Sequence, residues 1–112
     1  MKKNWVILIT IIVFSIGLLS GCTQEKSPPI ITNKITIKNM TFNPNTITVK
    51  AGTNVTWTNE DSTSHQVKES NGLFESSTLG NGQSFTYTFN TVGTYNYTCT
   101  IHPSMKGKVI VE

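Results

Sequence analysis

The chain has 112 residues, a formal net charge of +3 and only 13% charged side chains. All nine basic residues are lysine, so the forked guanidinium contacts that read bases and grip phosphates are missing, which argues against nucleic-acid binding. The length suits one small domain, and two cysteines and two histidines leave few groups for chemistry.

The N-terminus reads as a targeting segment. Lys2 and Lys3 precede an apolar run, Trp5–Leu19, that is shorter than the about 20 residues needed to span a bilayer. Leu19-Ser20-Gly21-Cys22 follows and resembles the lipobox of prokaryotic lipoprotein signals. Residues 1–21 are expected to be a lipoprotein signal peptide, with Cys22 the lipidated first residue of the mature chain. An uncleaved anchor helix is the other reading of the same run. Both place the domain outside the cytoplasm, tethered to a membrane. After residue 21, seven lysines face six acids, so the mature charge is near +1. Residues 22–33, with Pro28-Pro29, are expected to be a lipidated tether and semi-rigid linker.

From Lys34 to Glu112 the hydrophobic period is two. Apolar residues alternate with polar ones at Ile35 and Ile37, Ile47 and Val49, and Val55 and Trp57. The same holds at Phe85, Tyr87 and Phe89, at Tyr95 and Tyr97, and at Val109 and Val111. Such alternation over short runs predicts strands with one buried face. Asn43-Pro44-Asn45, Ala51-Gly52, Asn71-Gly72, Gly80-Asn81-Gly82 and Val92-Gly93 supply the turns. Six or seven strands are expected in an all-β, two-sheet sandwich or Greek-key barrel, with Lys68–Leu79 as an irregular connection between sheets.

The chemistry concentrates near the C-terminus. Cys99 continues the inward phase of Tyr95 and Tyr97, so its thiol points into the core at a strand end. His102 and Met105 follow at intervals of three, a spacing at which a tight loop wraps three side chains around one point. Pro103 stiffens that loop. His65 is the second imidazole of the chain. A thiolate, two imidazoles and a thioether form the donor set of a mononuclear blue-copper site. Zinc would accept the thiolate and imidazoles but rarely takes a thioether, so Met105 favours copper. A Cys22–Cys99 disulfide would have to join a tether to a strand interior and would compete with lipidation. Glu60 and Asp61 read as solvated loop charges. Three Asn-x-Thr matches, at Asn39, Asn54 and Asn96, read as chance in a prokaryotic lipoprotein.

The segment Cys99-Thr100-Ile101-His102-Pro103-Ser104-Met105 resembles the copper loop of the cupredoxins, and most closely that of the amicyanin and plastocyanin group. His65-Gln66-Val67 resembles their first-histidine segment. Phe42, Pro44, Ile47, Val49, Gly52, Val55, Trp57 and Asn59 resemble the strand pair that precedes it. The resemblance implies an eight-strand Greek-key sandwich holding one type 1 copper ion. It implies equatorial ligands His65, Cys99 and His102, an axial Met105, and a Gln66 N–H donated to the Cys99 sulfur. It also implies a more exposed His102 within an apolar docking patch, for which Ile101, Pro103, Leu73 and Phe74 are candidates. Gln66 stands where the group has Asn, and Ile101 where amicyanins often have Pro. An Ile101 N–H reaching the thiolate would favour Cu(I).

The expected function is a monomeric electron carrier at the extracytoplasmic membrane face, exchanging single electrons with a donor and an acceptor protein. The alternative is a copper storage or delivery lipoprotein without a redox partner. A metal-free interaction module fits poorly with a full ligand set. An enzyme fits least, because one site uses both histidines.

Overall fold

The structure, a computed structural model, describes residues 28–112. The expected signal peptide and Cys22 lie outside the described residues. Eight strands follow one another: β1 (Lys34–Lys38), β2 (Thr41–Asn43), β3 (Thr46–Val49), β4 (Thr53–Asn59), β5 (Lys68–Glu69), β6 (Ser84–Phe89), β7 (Gly93–Thr98) and β8 (Lys106–Val111). They form two four-stranded sheets, ordered β2-β1-β4-β6 and β3-β8-β7-β5. β1 runs parallel to β4 and β3 parallel to β8, while the other pairs are antiparallel. There is no helix among the described residues.

The alternation places the core as expected. Ile35, Ile37, Ile47, Val49, Val55, Trp57, Tyr97, Val109 and Val111 are all buried between the sheets. Trp57 stands at the centre, edge-on to Tyr97 at 5.3 Å between ring centroids and tilted against Phe74 at 5.6 Å. Phe85 and Tyr87 are only half-buried because β6 is an edge strand. Tyr95 is half-buried because β5 pairs with β7 only over Lys68–Glu69, which lies opposite Thr98 and Tyr97. Thr48 breaks the pattern from the other side: it is on the polar phase yet only 6% exposed. The cause is the segment before β1. Thr48 N donates to Ile30 O at 2.9 Å, and Ile31 bridges Thr48 in parallel.

The stretch Lys68–Leu79 is mostly irregular but carries β5 and a Lys68–Glu75 bridge, and it buries Phe74 and Leu79. The C-terminal ends of β4 and β7 and the start of β8 meet at one end of the sandwich. There Ile37 pairs with Asn59, and Thr98 with Lys106. His65 follows β4, and the 99–105 loop joins β7 to β8, so both segments arrive at this end.

Gly107 lies opposite Tyr97, and a methyl group there would sit 2.2 Å from the tyrosine ring. Backbone and ring are both fixed by the sheet, so neither yields cheaply. Gly107→Ala is expected to cost about 1–3 kcal/mol, as overpacking does. Urea unfolding measures it, and an unchanged midpoint would contradict this packing.

Candidate metal centre

Cys99 is fully buried and carries a free thiol just beyond β7. Its N–H donates to Met105 O at 3.1 Å, and Met105 N donates to His102 O at 2.9 Å. These two bonds close the loop and turn His102 back toward the sulfur. His102 Nδ1 lies 3.8 Å from Cys99 Sγ. His65 comes from a separate segment, with its Nδ1 at 3.7 Å from the sulfur and its ring centroid 5.0 Å from that of His102. It is held by a reciprocal backbone pair with Leu79, at 3.0 and 2.7 Å. One ligand atom from each of the three residues lies within 4.8 Å of the others.

These separations fit a metal ion. With bonds of about 2.0 Å to imidazole and about 2.3 Å to thiolate, a trigonal N–metal–S angle puts N and S about 3.7 Å apart. Met105 is 4% exposed, and its backbone closes the loop through the bonds to Cys99 and His102. His65 is fully buried and His102 only partly so, the order expected of the two histidines.

The surrounding contacts assign each neighbour a task. Gln66 N donates to Cys99 Sγ at 3.4 Å. The Gln66 side chain donates to Ser76 O at 2.7 Å and to Glu75 at 3.2 Å, and its carbonyl takes the Thr100 hydroxyl. The longer Gln therefore spans the His65 and Cys99 segments. The Ile101 N–H makes no hydrogen bond to the Cys99 sulfur among the described residues, so the condition for its favouring Cu(I) is not met. Ile101 rides the outside of the turn that the Cys99–Met105 and Met105–His102 bonds close, and it is 46% exposed. Pro103 is exposed beside it. Phe74 is no surface residue: it packs on Trp57 and is 6% exposed. Leu73 is exposed but borders a cleft with Tyr87, Phe89 and Tyr95, away from the loop. Met40, 41% exposed, is the apolar neighbour the sequence did not suggest, and it shares a cleft with Met105.

Asp61 was expected to be a solvated charge and is not. Its carboxylate accepts from Asn39 N at 2.7 Å, Met40 N at 3.0 Å and His65 Nε2 at 2.9 Å. Asn39 and Met40 hold φ of 55° and 61°, which turns both N–H groups toward it. The hydrogen bond from Met40 leads those from His65 and Asn39 in lowering the Asp61 pKa below 3.8, against desolvation, which raises it. Asp61 thus occupies His65 Nε2 and leaves Nδ1 for the sulfur side. Asn59, fully buried, braces the same loop: its Nδ2 donates to Thr63 O and Leu79 O, and its Oδ1 accepts from Asp61 N.

A two-sheet β-sandwich with two imidazoles and a thiolate converging at one end defines a single-metal redox protein of the blue-copper type. The chain belongs to the cupredoxin-like domain family, whose model matches residues 8–111. It is 39% identical over 102 residues to amicyanin-alpha of Methylorubrum extorquens, covering 86% of each chain. It is 31% identical over 122 residues to amicyanin of Paracoccus versutus, covering 94% of this chain and 92% of that one. Among solved structures, the Cu(I) form of an amicyanin mutant superposes with a TM-score of 0.68 at 33% identity, over 79% of this chain and 87% of that one. Cupredoxins bind one copper ion, and copper is the cofactor here.

Asp61→Ala strips a charged acceptor from three donors and is expected to lower the stability of the metal-free protein by about 1.5–3 kcal/mol. The folded pKa is depressed, so this contribution is present above the unfolded value and disappears as pH falls through the folded one. Urea titrations at neutral pH and below pH 3.8 check both statements. Equal stability of the two proteins at neutral pH would refute the first.

Proposed function

We propose that this protein is a type 1 copper electron carrier at the extracytoplasmic face of a membrane. In this reading His65 Nδ1, Cys99 Sγ, His102 Nδ1 and the Met105 thioether would hold the copper. The observation that carries it is the pair of nitrogen–sulfur separations, 3.7 Å to His65 from a distant segment and 3.8 Å to His102 within the loop. Copper supplies a one-electron Cu(II)/Cu(I) couple. The chain supplies a site that resists rearrangement. The end of β7 fixes Cys99, the Leu79 pair and Asp61 fix His65, and two backbone bonds fix the loop bearing His102.

His102 is the partly exposed ligand, so its ring edge is the exit for the electron. Ile101 and Pro103 flank it and Met40 stands nearby, a small apolar rim suited to brief encounters with a donor and an acceptor protein. The chain acts as a carrier rather than an enzyme. Both histidines enter one centre, and no second cluster of His, Cys, Asp and Glu ligands forms among the described residues. Membrane attachment through a lipidated Cys22 follows from the Leu19–Cys22 motif.

Adding Cu(II) to the protein is expected to produce an intense visible thiolate-to-copper band that is absent in Cys99→Ser. A colourless protein that retains zinc would defeat the proposal. Asp61→Asn, which weakens the acceptor on His65, is expected to raise the midpoint potential by the equivalent of about 1 kcal/mol. Protein-film voltammetry reads this directly, and a lower potential would be the wrong sign.

A further inference from the structure

We propose that the outer surface around Pro28–Asn33, β3 and β8 is a docking face for a bilayer of anionic lipid. The inference rests on the membrane-attached reading above and specifies how the domain sits on that membrane.

The segment before β1 is fastened along the sheet. Besides the Ile30 and Ile31 contacts with Thr48, Asn33 O accepts from Thr56 N at 3.0 Å, and Asn33 Nδ2 donates to Asn54 O at 3.1 Å. The segment therefore runs along β3 of one sheet and then crosses to β4 of the other. Its fastening leaves two large apolar side chains facing outward: Ile30 is 51% exposed and Ile31 69%. Pro28, Pro29 and Ile30 border an apolar cleft of about 550 Å³, with Ile110 and Thr48 opposite.

The charges beside this apolar strip are mainly positive. Lys108 shares a face of β8 with Ile110, because alternate strand residues do, and it is exposed, while Lys106 lies at the metal end of the same strand beside Met105. Register puts Lys108 beside Thr46, and Ile110 beside Thr48. Lys50 borders the adjoining cleft under Ile31. Glu112 is the one carboxylate lining either cleft. Exposed isoleucines flanked by Lys50 and Lys108 match an anionic headgroup layer over an acyl interior.

Chain length makes this face the nearest one to the bilayer. The six residues from Cys22 to Ser27 span at most about 20 Å fully extended, so a lipid on Cys22 keeps Pro28 within that reach of the membrane. Tethering raises the local concentration of the face at the lipid, so a modest intrinsic affinity suffices. The metal end then projects to the side, with His102 open to a partner.

The test uses the full lipidated chain, reduced with copper bound, on phosphatidylcholine vesicles with or without phosphatidylglycerol, doped with a headgroup-chelated gadolinium lipid. Amide signals of Ile30, Ile31, Lys108 and Ile110 should be quenched selectively on the anionic vesicles, while Ile101 and Thr86 keep theirs. The selectivity should fade in high salt. Two lysines facing anionic lipid are worth roughly 30-fold in partitioning, so Lys50→Glu with Lys108→Glu should abolish the selective quenching. That variant should still sediment with vesicles through its lipid. Uniform quenching of all faces in a sedimenting wild-type chain would overturn the docking face and leave the anchor standing. A chain that does not sediment at all would overturn the anchor, and the docking face with it.

Discussion

The hydrogen bond from Cys99 N to Met105 O is the constraint on which the centre depends. It continues the β7–β8 ladder one step beyond Thr98 and Lys106, so the thiol inherits the rigidity of the sheet. It also fixes the number of residues that the outer loop must absorb. Only a tight turn fits, and the Met105–His102 bond supplies it. His102 is thereby aimed at the sulfur by backbone closure rather than by packing of its own ring. A ligand aimed in this way has little freedom to follow a change in metal charge, which is what single-electron exchange requires.

The second half of the centre is fixed from the opposite direction. His65 lies beyond β4 in an irregular stretch, where a single bridge to Leu79 is its only ladder contact among the described residues. Asn59 and Asp61 extend that hold with side-chain hydrogen bonds, tying this stretch to Leu79 and to the β1–β2 turn. The carboxylate is thus shared between a turn that needs an acceptor and a histidine that needs an orientation. Gln66 then joins the two halves, with its backbone on the Cys99 sulfur and its side chain on Thr100 and Ser76.

The strands were legible because each inward residue has an outward neighbour of opposite character, and a period of two survives any arrangement of the sheets. The donor set was legible because Cys99, His102 and Met105 are local in sequence and few other residues could complete it. Asp61 was not legible, since its donors Asn39 and Met40 lie more than twenty residues upstream and offer only backbone. Its one sequence signal was the carboxylate four residues ahead of His65. The half-exposed Phe85, Tyr87 and Tyr95 reflect strand order, which alternation does not encode. Thr48 was hidden for a similar reason: its cover comes from Ile30 and Ile31, in a stretch whose prolines suggested a spacer.

X-ray absorption at the copper edge, in both oxidation states, tests whether one thiolate and two imidazoles form a rigid centre. One short copper–sulfur and two copper–nitrogen distances are expected in Cu(II), all retained with little change on reduction to Cu(I). Loss of an imidazole, or a change in coordination number on reduction, would contradict it.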